Sequence, residues 1–189
     1  AEINTMIYLL YGPDTYSSRA KLREIVAAFD KKAGGGFNVS QVDAAENPEA
    51  VWAVGRSRSL FASKEMAVIE NIVEASSVAK DFVRGNLAGW QGDSNLSIIF
   101  WEGECDGDEA IFADIKKCAA KAQEFKALTG IKLKRWLDSE LGLRHIRISP
   151  AEREYLLSNP SSDLWALANE LDKIQDGSRP SHRAEEEEK

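Results

Sequence analysis

The chain has 189 residues, 43% of them hydrophobic and 29% charged, enough for one well-formed core and a small second unit. Its formal net charge of −7 disfavours phosphate backbones as a general partner, so a nucleic-acid-coating role is not expected. Two cysteines without metal-binding spacing, no secretory signal and no apolar run near the ~20 residues of a membrane span point to a reduced, cytoplasmic protein with no membrane partner.

The first element, "MIYLLYG" at 6–12, is almost wholly apolar, which suits a strand covered on both faces of a parallel sheet. "PDTYSS" is a turn with Asp14, Thr15 and Ser17 as candidate caps. The following segment spaces Leu22, Ile25, Val26 and Phe29 as one helical face, and "GGG" at 34–36 stops it. "FNVSQVDA" reads as a short strand near a sheet edge. "AENPEAVWAVGRS" reads as a helix with Asn47 as cap and Pro48 at its first position. "MAVIENIV" at 66–73 and "NLSIIFWEGE" at 95–104 are strands, separated by a helix capped by Ser76 or Ser77. "GDEAIFADIKKCAAKAQEF" reads as one long amphipathic helix, and 131–143 as a further helix ending at Gly142. Ser149 with Pro150 opens another helix, and "SSDLWALANELDKIQ" is the last.

Strands alternating with helices predict an α/β domain over residues 1–145, since each parallel strand pair needs a crossover. Residues 146–176 read as a small helical domain and 177–189 as an acidic, disordered tail containing "AEEEEK". The five tryptophans are spread one per element and read as core or domain-packing residues.

Catalytic signals are sparse. The turn after the first strand, "YGPDTYSSRAKL", occupies the place of a phosphate loop. It lacks the second glycine and the adjacent lysine, and Asp14 sets a negative charge where phosphates would lie. An enzyme reading would rest on a degenerate phosphate loop, with Lys21 and the acids of 102–109 as phosphotransferase or ATPase groups. No cofactor or metal site is expected, and no serine or cysteine stands in a nucleophile motif. Basic residues gather at Lys132, Lys134 and Arg135 and again at 144–147, where a nucleic-acid contact competes with a solvated helix face. Leu60 and Phe61, inside "RSLFASKE", are either the last core anchor of a helix or an exposed hook for a partner.

Three stretches resemble the delta subunit of the bacterial DNA polymerase III clamp loader: "IYLLYGPDTYSSRAKLREI", "SLFASKEMAVIENI" and the segment from "ALTGIKLKRWLDSELG" to "SSDLWALANELDKIQ". The resemblance implies a RecA/AAA+-like parallel sheet flanked by helices, followed by a small all-helical lid. It implies a subunit that does not hydrolyse ATP, binds the ring-shaped sliding clamp and helps open it so that DNA can enter. Leu60 and Phe61 would then enter an apolar pocket of the clamp, framed by Arg58 and Ser59. A third, collar domain would join the other clamp-loader subunits in the full-length protein.

Overall fold

The computed structural model describes residues 6–32, 38–56, 64–105, 109–158 and 163–177. Its sheet contains β1 (Ile7–Tyr11), β2 (Asn38–Asp43), β3 (Glu65–Glu70), β4 (Leu96–Trp101) and β5 (Lys121–Glu124). The strands lie in the order β2-β3-β4-β1-β5 and every pairing is parallel. Leu9 stands opposite Phe100 on one side and Ala122 on the other, and Val68 stands opposite Ile99.

Alternate residues of each strand enter different cores, because a strand's side chains point to opposite faces in turn. On one face, Leu10, Met66, Val68, Ile99 and Trp101 pack with Leu22, Ile25, Val26 and Phe29 of α1 (Thr15–Lys32). On the other, Leu9, Ala67, Ile69, Ile98 and Phe100 pack with two helices, α2 (Ser77–Gly92) and α3 (Ala110–Cys118). Coverage of both faces explains why β3 and β4 read as continuous apolar runs rather than alternating ones. Full burial of one such side chain contributes about 1.5–3 kcal/mol.

Three elements differ from the sequence reading. The long helix expected over 107–125 is α3 followed by the strand β5. Ala119 turns extended, Ala120 donates to the Ile7 carbonyl, and "KAQE" then pairs with β1. Its residues are helix formers and mostly exposed at a sheet edge, so neither propensity nor hydrophobicity marks the strand; pairing with β1 decides. The helix expected from 45 to 57 is a short 3-10 helix, Pro48–Ala53, because Val54 turns extended and Gly55 takes φ +71°. Its start at Asn47 and Pro48 is as read, but the Asn47 side chain makes no capping bond. Finally, β3 stops at Glu70 because Asn71 adopts φ +55°.

The chain divides into two compact units, Ala1–Lys126 and Ala127–Lys189. The second holds α4 (Gly130–Arg144), α5 (Pro150–Ser158) and α6 (Leu164–Gln175). The sequence reading placed the 131–143 helix in the first domain; it groups instead with the helices that follow. Arg144 bonds Asp172 and the Ala168 carbonyl of α6, and Arg153 of α5 bonds Asp138. That helix also runs past Gly142 to Arg144, with His145 as its left-handed cap at φ +56°. Ser149 and Glu152 form a reciprocal capping box at the start of α5. Trp90 and Trp101 are buried, whereas Trp165 is exposed. Among the described residues no helix is long and apolar enough to cross a membrane.

Candidate functional site

Strand carboxyl ends are where open α/β sheets bind ligands, so the turn after β1 comes first. Gly12 takes φ +121°, and a Cβ there would meet the Phe125 carbonyl oxygen at 2.5 Å. Only glycine lets the turn approach β5 so closely. The turn's backbone donors are then engaged by the protein itself. Gly12 N–H donates to the Gly103 carbonyl at 3.0 Å, and Asp14 N–H to the Phe125 carbonyl at 3.0 Å. Thr15 N–H donates to the Pro13 carbonyl at 2.9 Å and Ser18 N–H to the Asp14 carbonyl at 3.2 Å. The buried Asp14 carboxylate accepts Ser17 N–H at 2.9 Å, so an internal anion caps the positive end of α1. In a phosphate loop those donors face a nucleotide.

Beside this turn lies a network that the sequence reading missed. Glu70, 4% exposed at the end of β3, receives the Arg19 guanidinium of α1 as a two-pronged ion pair and a further bond from Gln41. The same guanidinium stacks 3.6 Å from the Trp101 ring centroid, and Trp101 Nε1 donates to Ser18 Oγ at 3.0 Å. Lys21, the lysine of the enzyme reading, bonds Glu24 at 2.8 Å.

Glu102 follows β4 and is 2% exposed. Its carboxylate accepts Ile72 N–H at 2.9 Å and Val73 N–H at 3.5 Å. Burial, helped by the negative charges of Glu74 and Asp43, raises its pKa to about 7 against the lowering effect of those two amides. Asn71, opposite, donates to Asp43 at 2.7 Å and to the Trp101 carbonyl at 3.1 Å, tying the ends of β2, β3 and β4 together. Of the other acids in 102–109, Glu109 pairs with Lys80 at 3.6 Å, while Asp106 and Asp108 lie outside the described residues. Among the described residues no three histidine, cysteine or acidic side chains converge as a metal site. An acid closing or directly following an apolar strand, as in "VIE" and "FWE", is the sequence signal that could have marked both buried carboxylates.

Arg58, Ser59, Leu60 and Phe61 lie outside the described residues. The described residues on either side make these contacts. A Cβ on Gly55 would meet the Leu96 and Trp90 side chains at 3.1 and 3.2 Å, and the Arg56 guanidinium lies 5.4 Å from the Phe82 ring. On the other side, Glu65 N–H donates to the Asn95 carbonyl at 2.7 Å. The candidate nucleic-acid residues separate on α4. Lys134 borders an open groove of about 410 Å³ with Arg153 and Leu157, whereas Lys132 and Arg135 stand on a different, exposed face.

No protein-family model and no curated protein sequence matches this chain. Solved structures do match its fold. The Thermotoga maritima RuvB Holliday junction branch migration motor aligns with a TM-score of 0.61 at 14% identity, over 90% of this chain and 54% of that one. The Bacillus subtilis DNA clamp loader delta protein (YqeN) aligns with a TM-score of 0.50 at 18% identity, over 93% of this chain and 55% of that one. The fold is therefore AAA+-like: a RecA-type parallel sheet flanked by helices, with helices after it. The chain spans about half the length of these structures.

Proposed function

We propose that this chain is a clamp-loader subunit that binds a ring-shaped sliding clamp through Leu60 and Phe61, framed by Arg58 and Ser59, and helps open it without hydrolysing ATP. Its other partners are the remaining clamp-loader subunits of the full-length protein and, through the clamp, DNA; its place is the cytoplasm. The observation that carries this reading is an AAA+-like fold whose phosphate turn is occupied from within, by Asp14 and by backbone carbonyls. Such a domain acts through its surface. The "SLF" motif, which lies in the sequence between Arg56 and Glu65, is the motif with a matching partner chemistry. Two apolar side chains buried on a partner contribute roughly 3–6 kcal/mol gross, at about 1.5–3 kcal/mol each. Association costs consume much of that.

The test is equilibrium binding to a bacterial sliding clamp by the wild type and by a Leu60→Ala/Phe61→Ala variant, with thermal unfolding of both. Expected are binding by the wild type, a loss of at least tenfold in the variant, and matching unfolding midpoints. Equal binding refutes the hook; a variant that unfolds many degrees lower makes the pair a core anchor instead. The ATPase or phosphotransferase reading draws on the likeness to a motor protein, and has to work with Lys21 bonded to Glu24 and Glu102 bonded to two amides.

A further inference from the structure

Glu102 holds the crest of the turn between β3 and α2, residues 71–76. Inside that turn, Glu74 N–H donates to the Asn71 carbonyl and Ala75 N–H to the Ile72 carbonyl, both at 3.2 Å. The amides of Ile72 and Val73 leave the turn instead and donate to the Glu102 carboxyl, at 2.9 and 3.5 Å. The two ends of the turn are fixed separately. Asn71, left-handed at φ +55°, bonds the Trp101 carbonyl and Asp43, and Ser76 caps α2 by accepting Ala79 N–H.

The carboxyl at this crest is the side chain least suited to a dry site once it ionises. Glu102 is 2% exposed, and the charges acting on it are Glu74 of the turn itself and Asp43 at the end of β2. Among the described residues none of the groups acting on it is a cation. Burial, with those like charges, holds its pKa at about 7 instead of 4.5, against the opposing pull of the two amides. Ionisation therefore favours any motion that brings the carboxylate to water. The turn is placed to make that motion, because it lies between two fixed ends and its free amides bond Glu102. Ile72 and Ala75 are buried, which keeps the open form a minority.

We propose that the turn 71–76 is a proton-operated latch, closed over protonated Glu102 and opening locally, with the sheet intact, far more often once Glu102 ionises. The latch uses neither Leu60 nor Phe61 and stands or falls independently of clamp binding.

Amide hydrogen exchange of the full chain, resolved by residue in NMR and corrected for the intrinsic rate at each pH, tests it. An opening that carries Glu102 from a pKa of about 7 to the ordinary 4.5 is favoured about tenfold more at pH 8 than at pH 6. Protection of the Ile72 and Val73 amides should fall by that factor. At both pH values it should lie at least about tenfold below that of Phe100, in the middle of the sheet. Glu102→Gln should hold the protection constant over this range. Glu74→Gln, at an exposed position, should make the fall level off at a lower pH than in the wild type. Should Glu102→Gln not fold, the wild-type and Glu74→Gln profiles decide the matter. Ile72 and Val73 protected as strongly as Phe100, a wild-type protection constant from pH 6 to pH 8, or an equally steep fall in Glu102→Gln overturns the proposal.

Discussion

The turn after β1 and the turn after β3 leave the same edge of one sheet, and each has backbone amides bonded to a buried carboxylate. After β1 the carboxylate is local: Asp14 accepts the amide of Ser17, three residues on. After β3 it is distant: Glu102, from the end of β4, accepts the amides of Ile72 and Val73 thirty and twenty-nine residues away. The local anion sits at the positive end of α1 and is stabilised there. The distant one is enclosed near Glu74 and Asp43, and its pKa rises to about 7. The first arrangement engages the amides of the turn after β1 from within; the second places a carboxyl with a raised pKa between the ends of β3 and β4.

The largest expected effect breaks the β1 turn itself. Gly12→Ala places a methyl 2.5 Å from the Phe125 carbonyl oxygen at φ +121°, and should cost at least about 3 kcal/mol in urea unfolding. Next is the pH response of the distant carboxylate. Its folded pKa of about 7 exceeds the ordinary 4.5, so between those values the native state holds the extra proton. Stability is full below about 4.5, falls as pH rises, and is lowest above 7, a swing of up to roughly 3 kcal/mol at about 1.4 kcal/mol per unit. Denaturant titrations at pH 5 and pH 8 should show that fall in the wild type and lose it in Glu102→Gln; an unchanged slope in the variant would locate the effect elsewhere.

Arg19→Ala leaves Glu70 buried without its cation. With the guanidinium partly solvated, the expected cost is about 2–3 kcal/mol, below the usual range for a fully buried pair. A cost under 0.5 kcal/mol would mean that the pair adds nothing to the join of α1 and β3. The smallest effect belongs to the local anion: Asp14→Ala should cost about 1 kcal/mol, the typical value of a helix cap. A pH profile that changed as strongly as that of Glu102→Gln would erase the contrast between the two turns.

The same distinction governs what was legible in the sequence. Asp14, Ser76 and Ser149 act over three residues; the sequence placed Ser149 directly and held Asp14 and Ser76 among its candidate caps. The parallel sheet was legible because β1, β3 and β4 are apolar on both faces. β5 was not, since "KAQE" owes its strand to pairing with β1 rather than to its own side chains. The Arg19–Glu70–Gln41 network and the Glu102 bonds join residues 29 to 51 positions apart, and spacing rules do not reach that far. The grouping of α4 with α6 rests on Arg144, an exposed-looking charge whose partner Asp172 is 28 residues away. Leu60 and Phe61 were singled out by their motif and lie outside the described residues.

The occupied phosphate turn is tested most directly by titrating the wild-type chain with Mg-ATP in a calorimeter while following its thermal midpoint. With the amides of Gly12, Asp14, Thr15, Ser17 and Ser18 engaged as described, the expected result is no saturable heat and no stabilisation up to about 1 mM nucleotide. Saturable binding in the micromolar range, with a midpoint that rises with nucleotide concentration, would contradict it.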